Sequence, residues 1–314
     1  MRSTMDRMEA PGELMRLAAG QDGLVTRRQA LAHGMSPQQI RHALGRGGRW
    51  QRLAAGVYAT FTGPLSPRHR IQAALLYAGA GAMVTGGQAC RAYGLRYAPH
   101  HDPLTVLVPW SARPARLPFA QMRRTRSPPD PRLLAGFPVA PPERSVLDAC
   151  AGARSLRTVR ALLCEAVQVG LTTPERLSAE LAGGRWNGAG LARRAIEDIH
   201  AGCRSAPECE LRDLVRSSLL LDEPRWNRPL PDVTGPPLIP DACWPDARVV
   251  VEIDSAEWHR LGDRVEQTER RRARYAALGW VVLPVSPGRL RDEAAAVLAE
   301  IEAAVLAARQ RGAE

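Results

Sequence analysis

Two helix-start signatures, Thr26-Arg27-Arg28-Gln29 and Ser36-Pro37-Gln38-Gln39, lie ten residues apart near the amino terminus and restrict the fold more than any other feature. Each is a capping residue followed by glutamine at the third helical position, so side chain and backbone satisfy each other's hydrogen bonds. The second also has proline at its first helical position, where the fixed φ suits a helix and the missing N–H is not needed. The segment between them, Ala30 to Met35, holds Gly34 and reads as the end of a short helix, so the whole predicts helix, tight turn, helix. Residues Arg49 to Ala59 then alternate apolar and polar around Ala54-Ala55-Gly56, the pattern of a small hairpin. Together these elements predict a winged helix. Its second helix, over roughly Pro37 to Arg46, would lie in the major groove with Gln38, Arg41, His42 and Arg46 facing outward. Arginine and glutamine can each make two bonds to a purine edge. The same polar face would also suit a solvated helix or a protein-interaction module.

Charge separates the chain into two parts. All 43 basic residues are arginine, against 32 acids, for a net charge of +11. Residues 1–200 hold 27 arginines and 13 acids, whereas 201–314 hold 16 arginines and 19 acids. A basic front portion suits a polyanion partner through counterion release, and a more acidic remainder suits a cation site. With aromatic residues at only 5%, binding of single strands by stacked bases is disfavoured. A length of 314 residues with 45% hydrophobic content is enough for two or three packed cores and excludes a disordered chain. The first residues lack an apolar h-region and no long apolar window follows, so the expectation is a soluble, cytoplasmic protein without a membrane partner. Six scattered cysteines with no Cys-x-x-Cys pair read as reduced core thiols.

The expected division is 1–62 as the winged helix, 63–200 as a mixed α/β middle region and 201–314 as a third domain, giving an α+β, multidomain class. The middle region shows a helix over Arg68 to Ala80, a strand over Leu104 to Pro109 and helices over Ser145–Cys150, Leu156–Gly170 and Pro174–Leu181. Its arginine cluster, Arg113, Arg116, Arg123, Arg124 and Arg126, reads equally as a phosphate track or as a solvated strand pair.

The sharpest chemical signal lies between Ser205 and Val285. A capped helix carries Glu208 and Glu210, then Ile239-Pro240-Asp241 precedes the buried strand Arg248-Val249-Val250-Val251-Glu252-Ile253-Asp254. Strand periodicity sets Glu252 and Asp254 on one face. Two acids on a valine-rich strand need a counterion, and a divalent metal held by Asp241 and Glu252 is an economical one; oxygen-only ligation favours Mg²⁺ or Mn²⁺. An arginine-rich helix over roughly Arg264 to Leu278 follows, with Arg270, Arg271 and Arg274 as candidate contacts to a DNA backbone.

The run from Gly23-Leu24-Val25-Thr26 to Gly56-Val57-Tyr58 resembles the amino-terminal winged helix of AbiEi-type antitoxins from type IV toxin–antitoxin systems, which implies binding of double-stranded DNA and, for antitoxins, a cognate toxin as partner. The pattern Pro240-Asp241, then Glu252-x-Asp254, then His259 resembles the PD-(D/E)XK nuclease superfamily, and within it the branch related to very-short-patch-repair (Vsr) endonucleases. That resemblance implies a restriction-endonuclease-like α/β core of mixed sheet flanked by helices. Position by position, it makes Glu208 the helix acid, Asp241 and Glu252 the metal ligands, Asp254 the acid after them and His259 the histidine of the site. The superfamily's lysine is absent, with Asp254 in its place; Ser255 stands where glycine is frequent and Thr268 where an acid is usual. The implied activity is metal-dependent hydrolysis of DNA phosphodiesters, with an antitoxin-like transcriptional regulator carrying an inactive nuclease-like domain as the alternative.

Overall fold

A computed structural model describes residues 11–100, 103–113, 116–184, 186, 188–231, 233–254 and 262–313. The chain is α+β, its described residues forming three separate sheets. Its described residues separate into two compact units: those up to Ala153 with Leu171–Ala189, and Arg154–Gly170 with those from Gly190 onward.

The first unit opens with α1 (Gly12–Ala19), β1 (Leu24–Thr26), α2 (Arg27–Ala32), α3 (Pro37–Ala43), β2 (Gln51–Ala54) and β3 (Val57–Ala59), the strands forming a sheet in the order β1-β3-β2. This is the helix, turn, helix and hairpin expected of a winged helix. Both capping boxes close: Thr26 Oγ1 accepts from Gln29 N at 3.1 Å while Gln29 Oε1 accepts from Thr26 N at 2.8 Å, and Ser36 with Gln39 does the same. Gly34, at φ 88°, turns the chain between the helices. Leu14, Ala18, Val25, Ala30, Met35, Ile40, Trp50 and Tyr58 are buried together beneath α3 and the hairpin. The second helix is shorter than the sequence suggests: α3 ends at Ala43, because Leu44 caps it and Gly45, Gly47 and Gly48 follow.

Gly48 is where the turn after α3 passes against the helix end. A Cβ there would fall inside contact distance of the Ala43 carbonyl, which also accepts from Trp50 N at 2.9 Å. Gly48→Ala is therefore expected to push the hairpin off α3 and lower stability by about 1–3 kcal/mol. Thermal unfolding measures it, and an unchanged midpoint would contradict the close approach.

The same unit continues through α4 (Pro67–Ala78), β4 (Met83–Thr85), α5 (Gly86–Ala92), β5 (Leu104–Pro109), β6 (Ala120–Thr125), β7 (Arg132–Leu134), β8 (Phe137–Val139) and α6 (Pro142–Cys150). The sheet order is β6-β5-β4-β8-β7, with β5–β6 and β4–β8 parallel. Leu24, Ala54 and Val57 of the winged helix share a core with Ile71 of α4, Val84, Val106, Val108 and Val139. Helix α7 (Leu156–Gln168) belongs to the second unit, and α8 (Pro174–Ala182) returns to the first.

The second unit adds α9 (Gly190–His200), α10 (Ala206–Arg216), β9 (Arg225–Trp226), β10 (Ala242–Trp244), β11 (Val249–Ile253), α11 (Gly262–Ala277), β12 (Val281–Val285), α12 (Pro287–Asp292) and α13 (Ala294–Ala313). Its sheet runs β12-β11-β10-β9, antiparallel except for the β11–β12 pair, which α11 connects. Alternation divides β11 between two cores. Val249 and Val251 pack with Leu211 of α10 and Val297, Ile301 and Val305 of α13, while Val250 packs with Cys243, Leu238 and Tyr275 of α11. Arg160 of α7, almost fully buried, ties that helix to Asp198 of α9 (2.6 Å) and Asp213 of α10 (2.6 Å). All six cysteines are buried and free of disulfides. Among the described residues, no helix is long and apolar enough to cross a membrane.

Candidate functional site

Register brings the acids of the second unit together. β10 and β11 pair Ala242 with Val251, so one step further Asp241 stands opposite Glu252. Residues two apart share a face, which sets Asp241 with Cys243 and Glu252 with Val250, both on the side where Tyr275 and α11 pack. A direct bond fixes the pairing: Ile253 N donates to Asp241 Oδ2 at 2.7 Å. Glu208 arrives from the first turn of α10, where Ser205 caps the helix. Its carboxylate accepts from Arg204 N (3.0 Å), Ser205 Oγ (3.0 Å) and Asn227 Nδ2 (2.9 Å).

These carboxylates feel one another. Burial, then the charge of Glu208 and that of Glu252, push the Asp241 carboxyl up to about 7, against the Ile253 bond and the Arg271 guanidinium. Among the described residues, however, no three His, Cys, Asp or Glu side chains form a group that could hold a metal. Glu210, the second acid of α10, points to Arg157 at 2.6 Å and serves the packing of α7, as Asp213 does through Arg160.

In the sequence the acids at the end of β11 have no evident counterion; the structure supplies two. Glu252 Oε1 accepts from Arg271 (2.8 Å) and from the hydroxyl of Tyr275 (2.5 Å), and Asp254, just past the strand, pairs with Arg272 at 2.6 Å. A metal is therefore not required to neutralise Glu252 and Asp254. Burial works against the Arg271 charge, but the charge and hydrogen bond of Glu252 outweigh it and raise its pKa on balance. Tyr275 is fully buried, and burial followed by its bond to Glu252 holds its hydroxyl protonated.

The remaining candidates are spread out. Arg271 turns inward to Glu252 and also donates to Ile239 O at 2.5 Å. Arg270 pairs with Glu266 at 2.6 Å on the exposed side of α11, and Arg274 donates to Pro236 O at 2.6 Å. His259 lies outside the described residues. In the winged helix, Gln38, Arg41 and His42 are exposed on α3, and Arg46 is exposed in the turn beyond its end rather than on the helix.

Asn227 and Tyr275, and the inward role of Arg271, are not legible in the sequence. Asn227 sits at φ 49°, a left-handed conformation that asparagine tolerates better than most residues. Its backbone N donates to Asp241 O at 3.2 Å while its amide holds Glu208, so one residue links two of the acids. Tyr275 and Arg271, one helical turn apart, form the clamp on Glu252; that i, i+4 spacing was the available signal. On the wing, alternation turns Arg52 outward, and it is exposed.

No known protein-family signature matches the chain. It is 30% identical over 165 residues to two uncharacterised proteins of Mycobacterium tuberculosis, MT2308 and Rv2248, a match covering 51% of this chain and 60% of theirs. The crystal structure of the RV2827C protein from Mycobacterium tuberculosis aligns with 71% of this chain and 89% of its own, at 19% identity and a TM-score of 0.41.

Proposed function

We propose that the chain binds double-stranded DNA through its winged helix and hydrolyses phosphodiester bonds at the carboxylate site of its second unit. The observation that carries the reading is the facing of Asp241 and Glu252 on one side of the sheet, joined by the Ile253 bond, with Glu208 beside them. The donors are all carboxylate oxygens, a set that suits Mg²⁺ or Mn²⁺. Asp241 and Glu252 would hold the ion, and a carboxyl pushed up to about 7 gains most from a cation that favours its ionised form. Such an ion, when bound, polarises a phosphoryl oxygen and lowers the pKa of an attacking water.

The chain's own groups do the positioning. Ile253 N orients Asp241, Asn227 holds Glu208 against it, and Tyr275 with Arg271 fixes Glu252. Arg272 keeps Asp254 at the rim. His259 is the proposed carrier of the proton to or from the water or the leaving oxygen. The mixed sheet flanked by helices agrees with the resemblance to Vsr-like PD-(D/E)XK enzymes. The exposed Gln38, Arg41, His42 and Arg46 agree with that to AbiEi-type antitoxins. Arg270 and Arg274 are proposed to meet the DNA backbone from α11.

One observation favours a second reading. Glu252 is already engaged by a guanidinium and a hydroxyl, which suits an antitoxin-like regulator with an inactive nuclease-like domain and a toxin as partner. The test is incubation of the purified chain with plasmid and with mismatched duplex, with Mg²⁺, Mn²⁺ or EDTA. Cation-dependent nicking is expected. Binding to a specific duplex without cutting under any metal would replace the enzyme by the regulator.

A further inference from the structure

We infer that the carboxyl ends of β5 and β6 carry a second contact for duplex DNA, in which Arg124 and Arg126 are held on Trp110 to bind the phosphodiester backbone. The two strands are parallel and in register, Val108 opposite Arg124 and Pro109 opposite Thr125, so the indole that follows β5 meets the side chains at the end of β6. The guanidinium carbon of Arg124 lies 4.4 Å from the Trp110 ring centre and that of Arg126 lies 4.9 Å from it. Trp110 remains 49% exposed, and β6 is the edge strand of its sheet.

What marks the cluster is that no described residue supplies its counter-charge. Neither Arg124 nor Arg126 has an ion pair or hydrogen bond with any described residue, whereas Arg123, next in the strand, is tied to Asp148 at 3.1 Å. Arg68, Arg144 and Arg160 likewise have carboxylate partners. Two like charges on one exposed ring, with no acid paired to them among the described residues, form a site that an anion completes. Stacking orients guanidinium planes and leaves their N–H edges for phosphate oxygens. A ring already seating two guanidinium groups is a poor platform for a base, which favours duplex backbone over an unpaired strand.

The contact is independent of α3 and of the carboxylate site, and its test separates them. Affinity of the full chain for a 30-base-pair duplex of arbitrary sequence (~30 bp, enough for several phosphate contacts) is measured against salt, for wild type, Arg124→Gln with Arg126→Gln, Trp110→Ala, and Arg41→Ala with Arg46→Ala. Losing two phosphate contacts should reduce the slope of log K against log salt by about 2 and weaken binding about 50-fold at 0.1 M salt. Trp110→Ala should weaken it less, since the charges remain. Wild-type slope and affinity in the Arg124/Arg126 variant, with thermal stability unchanged, would overturn the inference. So would a loss seen only on a single-stranded oligonucleotide of the same length. If instead the Arg41/Arg46 variant binds as wild type while the Arg124/Arg126 variant does not, the α3 reading fails and this contact stands.

Discussion

Glu252→Gln is expected to reduce cation-dependent DNA cleavage by about 1,000-fold or more, a loss of about 4 kcal/mol in transition-state stabilisation. Glutamine keeps the volume of the side chain and an oxygen that can accept from Arg271 and Tyr275, the two groups that hold Glu252 in place. The fold should therefore survive while the charged donor is lost. Glu252→Ala differs because it leaves the Arg271 guanidinium and the buried Tyr275 hydroxyl without their acceptor. A further stability loss of about 1–3 kcal/mol is expected, moderated by water reaching the half-exposed Arg271. Single-turnover cleavage alongside thermal unfolding separates the two effects. A glutamine variant that cuts at the wild-type rate in Mn²⁺ would remove Glu252 from the chemistry and leave it as a packing residue.

At pH 8 in EDTA, Asp241→Asn should be more stable than the wild type, by about 2 kcal/mol. The Asp241 carboxyl rises from 3.8 to about 7 on folding, chiefly through burial and the charge of Glu208. A difference of that size corresponds to about 4 kcal/mol as a ceiling, and water reaching a side chain that is not fully enclosed lowers what is realised. Because the folded-state value is the higher one, the folded state binds the extra proton. Its stabilising contribution is complete below about pH 4 and lost as the pH rises through 7. The wild type should accordingly weaken between pH 4 and 8 relative to the variant, and the two should converge at the acidic end. Asparagine retains an oxygen for the Ile253 bond, so the difference reports charge rather than geometry. Adding Mn²⁺ at pH 8 should stabilise the wild type and leave the variant unmoved. A pH profile identical in both proteins would show that Asp241 ionises freely.

What the sequence made legible was local or periodic. Thr26 with Gln29 and Ser36 with Gln39 declare two helix starts through contacts three residues apart, and both close as read. The strand over Leu104–Pro109 and the facing of Glu252 follow from apolar runs and alternation. Strands β4, β7 and β8, three residues each, are too short to show a period, and β6 is hidden because its Met122-Arg123-Arg124 stretch does not resemble an apolar strand. The end of α3 is hard to read from sequence because Leu44, which caps the helix before the glycines, still looks helical. The counterions of Glu252 and Asp254 were invisible for another reason. On a helix as arginine-rich as α11, the i, i+4 spacing of Arg271 and Tyr275 does not by itself single out the guanidinium that turns inward; the bond to Tyr275 fixes Arg271, while Arg272 reaches Asp254.

The course of the chain through the two units limits how the protein can be dissected. Residues 154–170 leave the first unit to supply α7 to the second, and 171–189 go back before the chain crosses a final time. A fragment starting at residue 201 would lack both α7 and α9, leaving Asp213 and Glu210 without Arg160, Arg194 and Arg157. No single cut of the backbone yields two intact halves. Limited proteolysis between 170 and 190 should give pieces that stay associated until denatured, and isolated activities are best sought by inactivating point changes in the whole chain.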